Sequence, residues 1–223
     1  MASILAVVAH PDDETLGCGA TLCRHKESGD KIYVLSLTDG VGARGATSDS
    51  AAKRREAAER AAGVLGFEWV AHGDFPDNAL DSVPLLEIVQ FIESVKEDFA
   101  PDLIYTHHGG DLNIDHRIVF QAVLTAFRPK PREQATELRT FEVASSTEWS
   151  DSSIGGQFTP DLFVDVSEHW DAKLAALNEY DTEIRNYPHS RSMKALRTLS
   201  KRRGAQVGLP KAEAFETVRR IVR

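Results

Sequence analysis

Apolar positions along the chain fall into two rhythms. Short continuous runs such as Ile4-Leu5-Ala6-Val7-Val8, Ile32-Tyr33-Val34-Leu35 and Leu103-Ile104-Tyr105-Thr106 have strand length and no polar interruption, as strands covered on both faces do. Between them, Thr15 to Glu27, Ser50 to Leu65, Val83 to Phe99 and Arg117 to Phe127 carry the i, i+3, i+4 spacing of helices that bury one face. Phe67 to Val70 reads as a short third strand, followed by a polar loop from His72 to Asn78. Ser28-Gly29-Asp30, Gly66 and Pro101 mark where helices stop. This repeated strand–helix alternation predicts an α/β fold, a Rossmann-like open and mostly parallel sheet with helices on both faces.

Past the break at Arg128-Pro129-Lys130-Pro131, Leu138 to Ala144 and Leu162 to Val166 read as two more strands. The polar loop between them, Ser145 to Thr159, is expected near the mouth of a site. Helical patterns follow at His169 to Tyr180, Ser192 to Arg202 and Ala212 to Arg220. The expectation is one domain over 1–223, with 129–223 adding strands and C-terminal helices to it.

Composition narrows the class. With 42% hydrophobic and 27% charged residues, the 223-residue chain suits an ordinary globular domain with a sizeable core. A net charge of -8 argues against nucleic acid as a partner, since binders of it show a basic stripe. No apolar stretch approaches the roughly 20 residues of a membrane span. Met1-Ala2-Ser3 runs straight into the first strand without the basic and apolar regions of a signal peptide, so a cytoplasmic location is expected. Cys18 and Cys23, five apart on a predicted helix, point different ways and are expected as free thiols. A homo-oligomer is compatible with all of this.

The chemistry gathers at two strand exits. His10-Pro11-Asp12-Asp13-Glu14 follows the first strand, and His107 to His116 follows the fourth. Ligands of open α/β sheets bind at the carboxyl ends of strands, so both stretches are expected to face one crevice. Together they offer His10, Asp13 and His116. Two imidazoles and a carboxylate with an open position suit a catalytic zinc ion, and equally the facial triad of a non-haem Fe(II) centre. Each cluster also holds a spare carboxylate, Asp12 and Asp115.

Ala9-His10-Pro11-Asp12-Asp13-Glu14 resembles the hallmark motif of the LmbE-like, or PIG-L, zinc-dependent N-deacetylases. Thr38-Asp39-Gly40 with Arg44-Gly45, Arg55-Glu56, Asp115-His116, Arg203-Gly204 and Ala212-Glu213-Ala214-Phe215 are similar to further family features. The resemblance implies that His10, Asp13 and His116 hold zinc and that Asp12 is the general base. It also implies that Asp115 steadies a neighbouring imidazole and that Arg44 reaches the substrate. The implied reaction removes an acyl group, in the first instance acetyl, from an amino-sugar derivative: a nucleotide sugar, a lipid-linked sugar or a sugar-conjugated thiol. Asp77 and Asn78 are candidates for sugar hydroxyls, although Pro76-Asp77-Asn78 is equally good turn chemistry.

One departure stands out. Many members read His-Pro-Asp-His where this chain reads Asn113-Ile114-Asp115-His116. Asn113 can donate a hydrogen bond to an oxyanion but is no acid near neutral pH. The proton would otherwise come from His107, His108 or His189. Two rival readings use the same residues or fold: an iron oxygenase on the same triad, and a nucleotide-binding module. The second is disfavoured because the first strand–helix corner carries carboxylates instead of G-x-G-x-x-G.

Overall fold

The computed structural model describes residues 1–42, 48–131 and 133–222. β1 (Ser3–Val8) is apolar from Ile4 onward because both its faces are covered. Side chains alternate along a strand, so Ile4, Ala6 and Val8 enter one core and Leu5, Val7 and Ala9 the other. The first core is closed by α1 (Asp13–Glu27), α2 (Ser48–Leu65) and α6 (Trp170–Glu179). The second is closed by α3 (Leu85–Phe99) and α4 (Ile114–Ala126).

β2 (Lys31–Thr38) and β4 (Leu103–His107) flank β1, β3 (Glu68–Phe75) lies outside β2, and β5 (Glu137–Phe141) lies outside β4. All five are parallel. Beyond β5, β7 (Ala212–Arg220) runs antiparallel and carries β6 (Leu162–Asp165) on its far side, giving the order β3-β2-β1-β4-β5-β7-β6. Residues beyond the Pro-rich break therefore extend the same sheet. α5 (Ser152–Gly155) and α7 (Met193–Ala205) complete the helices among the described residues.

Two predicted elements change. The helix expected over Ala212 to Arg220 is the strand β7, which pairs with a neighbour on each side. Alanine and glutamate favour helix locally, but two ladders of backbone hydrogen bonds outweigh that weak preference. The third strand also runs on through His72 to Phe75, where a loop was expected. Ser36 and His72 hydrogen-bond across it at 2.8 Å, and the register shifts twice along the pair.

β7 does more than widen the sheet. Glu213, buried, accepts the N–H groups of Ala20 and Thr21 in α1 at 3.1 and 2.7 Å. Lys173 of α6 donates to Glu213 at 2.6 Å and to the Leu16 carbonyl at 2.7 Å. A buried ion pair thus grips the backbone of the helix that begins at Asp13.

Candidate metal centre

β1 and β4 are adjacent, but their crossovers depart in opposite directions along the sheet. Their carboxyl ends therefore open a crevice at the point where strand order reverses. The chain leaving β1 turns sharply there. Asp12 has φ 140°, a backbone conformation that L side chains rarely adopt and that costs about 1–3 kcal/mol. The turn is held from several sides. The Asp12 N–H donates to Glu14 Oε2 at 3.0 Å, and Arg54 donates to the Pro11 carbonyl at 3.0 Å. Glu14 also accepts the hydroxyls of Thr15 and Tyr180 at 2.6 and 2.9 Å, and burial lifts its pKa to about 7. Gly40, at φ 69°, packs over the motif; a Cβ there would stand 3.2 Å from the His10 Cβ.

Ligand atoms of His10, Asp13 and His116 lie within 4.8 Å of one another, all three residues buried. Asp13 Oδ2 accepts the His10 N–H at 2.9 Å and stands 3.1 Å from His10 Nδ1 and 3.4 Å from His116 Nε2. Asp13 Oδ1 and His116 Nε2 are buried without a hydrogen-bond partner among the described residues. Polar atoms left so are costly unless a ligand satisfies them. With the His10 ring beside them, they make up a set of two imidazoles and a carboxylate that fits a divalent metal ion.

The charges agree. Burial would lower the pKa of His10, but Asp13, Asp115 and Asp77 outweigh it and hold His10 well above its ordinary 6.5. His116 is likewise raised to about 9, burial being overcome by Asp13 and Asp111. Burial would raise Asp13, yet His116, His107 and His10 pull it well below the usual carboxylate range. The carboxylates around these imidazoles call for positive charge at the site.

His116 has a carboxylate behind it that the sequence reading missed. Asp111 Oδ1 stands 3.2 Å from His116 Nδ1, and Asp111 is fixed by Thr147 Oγ1 at 2.6 Å, by Ser146 Oγ and by the Asn113 N–H at 2.9 Å. Carboxylates so placed orient a ligating imidazole. The neighbouring His107 ring stacks on His116, centroids 3.9 Å apart. Its Nε2 accepts the Ala9 N–H at 2.9 Å, which fixes the proton on Nδ1, and burial holds its pKa well below 6.5.

Asp115 steadies His10: its Oδ2 is 3.2 Å from His10 Nε2. It also accepts the N–H groups of Asn78 and Leu80 at 2.7 and 3.0 Å, clamping the loop after β3 to α4. Asp77 is brought to the same ring, 3.1 Å from His10 Nε2. Asn113 is the N-cap of α4: its Oδ1 accepts the Asp115 N–H at 2.8 Å and its Nδ2 donates to Asn78 Oδ1 at 3.0 Å. Of the alternative imidazoles, His108 is paired with Glu216 at 2.8 Å, and His189 lies against Trp149. Arg44 lies outside the described residues.

Asp12 stands beside the triad in a cavity also lined by Arg54, Glu183 and Arg191. Burial raises its pKa, opposed by Arg54 and Arg191, whose Nη1 atoms lie 3.5 and 3.3 Å from Asp12 Oδ2. Arg54 belongs to α2, a helix with many charged residues. It points inward, pairing with Glu183 at 2.6 Å, because carbonyls and carboxylates from distant segments meet its guanidinium.

The sequence profile described as PIG-L: GlcNAc-PI de-N-acetylase matches residues 5–127. An uncharacterized deacetylase, YaiS, of Escherichia coli K12 is 31% identical over 183 residues, covering 79% of this chain and 89% of that protein. The 4-oxalmesaconate hydratase of Pseudomonas putida KT2440 is 28% identical over 198 residues, covering 78% of this chain and 71% of that protein. In three dimensions, the N,N′-diacetylchitobiose deacetylase of Pyrococcus horikoshii superposes with a TM-score of 0.78 at 19% identity, over 98% of this chain and 84% of that one. The profile match covers both strand exits that build the crevice, and the chain belongs to the PIG-L family.

Proposed function

We propose that this protein is a zinc-dependent N-deacetylase that removes an acetyl group from an amino-sugar derivative. The observation that carries the proposal is the pairing of a buried His10–Asp13–His116 donor set with a separate carboxylate, Asp12, that lines one cavity together with His10. His10, Asp13 and His116 would hold the metal, which when bound supplies Lewis acidity toward a carbonyl oxygen and makes a water more acidic. Asp12 accepts a proton as water attacks the acetamide carbon, and returns it to nitrogen as the C–N bond breaks, leaving a free amine and acetate. Arg54 and Arg191 keep the Asp12 carboxylate in place. Asp111 and Asp115 hold the two imidazoles. Asn113 would turn its amide N–H toward the oxyanion by giving up its bond to Asn78. Asp77 and Arg44 are the proposed substrate contacts.

The hydratase relative raises a second reading, in which the substrate is a carboxylated alkene. The cavity argues for a neutral sugar. Its two described guanidiniums are already matched by Asp12 and Glu183, and Asp77 adds a further carboxylate. The test is amine release from N-acetylglucosamine derivatives by the zinc-loaded protein, with metal analysis of protein purified without added metal. Asp12→Asn should retain zinc and lose about 10²–10⁴ in kcat. Full activity in that variant, or iron with oxygen consumption, overturns the mechanism.

A further inference from the structure

A loop tied to the cavity through Arg191 carries a residue for which neither the metal centre nor Asp12 has a use. Trp149 ends the short 3₁₀ turn Thr147–Trp149 and is 53% exposed, whereas tryptophan is on average well buried. Its loop is tightly fastened: Ser146 and Thr147 donate to Asp111, Glu148 accepts the Ser145 N–H at 2.7 Å, and Ser150 Oγ donates to the Gly110 carbonyl. The indole is thus presented to solvent from a fixed backbone, and its N–H has no hydrogen bond among the described residues. Its place relative to the site follows from two ties. Arg191, whose guanidinium reaches Asp12 at 3.3 Å, donates from Nε to the Ala144 carbonyl at 3.1 Å, joining the two rim loops at the cavity. One step along the same loops, the Trp149 and His189 rings meet edge to face, centroids 5.6 Å apart.

We propose that Trp149, backed by His189, is a stacking platform for the sugar ring next to the one being deacetylated, so that the preferred substrate is an oligosaccharide or extended glycoside. The inference rests on the amino-sugar reading above. The C–H face of a pyranose is apolar and covers an indole well, while its equatorial hydroxyls remain in water and one can accept the indole N–H. The cavity itself is lined by charged and amide groups that suit the hydroxyls of the reacting ring. The apolar surface lies one step outside it, where the neighbouring ring would fall.

Two measurements test this. The first follows tryptophan emission of the zinc-loaded Asp12→Asn protein during titration with N,N′-diacetylchitobiose or N-acetylglucosamine. Trp69 is half-buried and Trp170 fully buried, so the exposed indole reports. The disaccharide should change the emission more than the monosaccharide, and adding Trp149→Phe should abolish the change. The second compares KM: Trp149→Ala should raise it about tenfold for the disaccharide and less for the monosaccharide, with Trp149→Phe recovering most of the loss. An unchanged emission, or equal effects on both sugars, overturns the platform. Amine release without dependence on Trp149 leaves the deacetylase reading standing and removes the platform. A Trp149 response to the disaccharide without amine release does the reverse.

Discussion

Asp111 shows how much of a site can hide one residue behind its obvious members. His116 was found because it ends a polar strand exit. Asp111, in the same stretch, holds His116 from the far side and anchors Ser146 and Thr147 as well. Replacing it with Asn keeps the shape but removes the charge facing His116 Nδ1. Zinc affinity measured by chelator competition should fall about 10–100-fold, with the far-ultraviolet spectrum unchanged. The hexapeptide at His10 was legible as a cluster because its proposed ligands and base are contiguous. Arg54 and Arg191 were not, because nothing local marks a charged side chain as buried. Their partners are the Pro11 and Ala144 carbonyls, Asp12 and Glu183, which only the folded chain assembles.

At the scale of elements, β1, β2 and β4 and their helices were readable from pattern because continuous apolar runs and one-sided helices each have one way to be buried. β7 was not. Its Glu213 reads as a surface residue of a helix, whereas it is an interior hydrogen-bond acceptor on a strand. β3 was read too short because its second half is polar. That polarity has a measurable effect. Burial, with Arg55 adding to it, lowers the pKa of His72 to about 4 from an ordinary 6.5. Between those values the unfolded chain binds more protons than the folded one, so stability is lost as pH falls from 6.5 toward 4. The melting temperature should drop across that window, and His72→Gln should make the drop smaller.

For the whole molecule, the sheet brings two strand exits together and the price is electrostatic. Asp13, Asp77, Asp111 and Asp115 crowd two imidazoles at the crevice. A bound cation relieves that crowding only in the folded state, so it stabilises the fold by mass action. Metal at 1,000 times its dissociation constant is worth about 4 kcal/mol. Stripping it with a chelator should lower the melting temperature, and restoring zinc should recover it. An unchanged melting temperature would mean that the site holds no ion. The parallel strand–helix frame and the meeting of its two strand exits follow from chain pattern, while the antiparallel β7 does not. The polarity of the crevice follows only from the assembled sheet.

The grip of Glu213 on α1 has a consequence for how the protein assembles. The hydrogen bonds to Ala20 and Thr21 join residues 193 and 192 positions apart. Contacts at such separation must first bring together the ends of a long loop, and they form late relative to local helices and neighbouring parallel strands. α1 can coil early, but the clamp on its backbone arrives with β7. Helical content should therefore precede a finished metal centre during refolding, which would place the first motif under the control of the last strand.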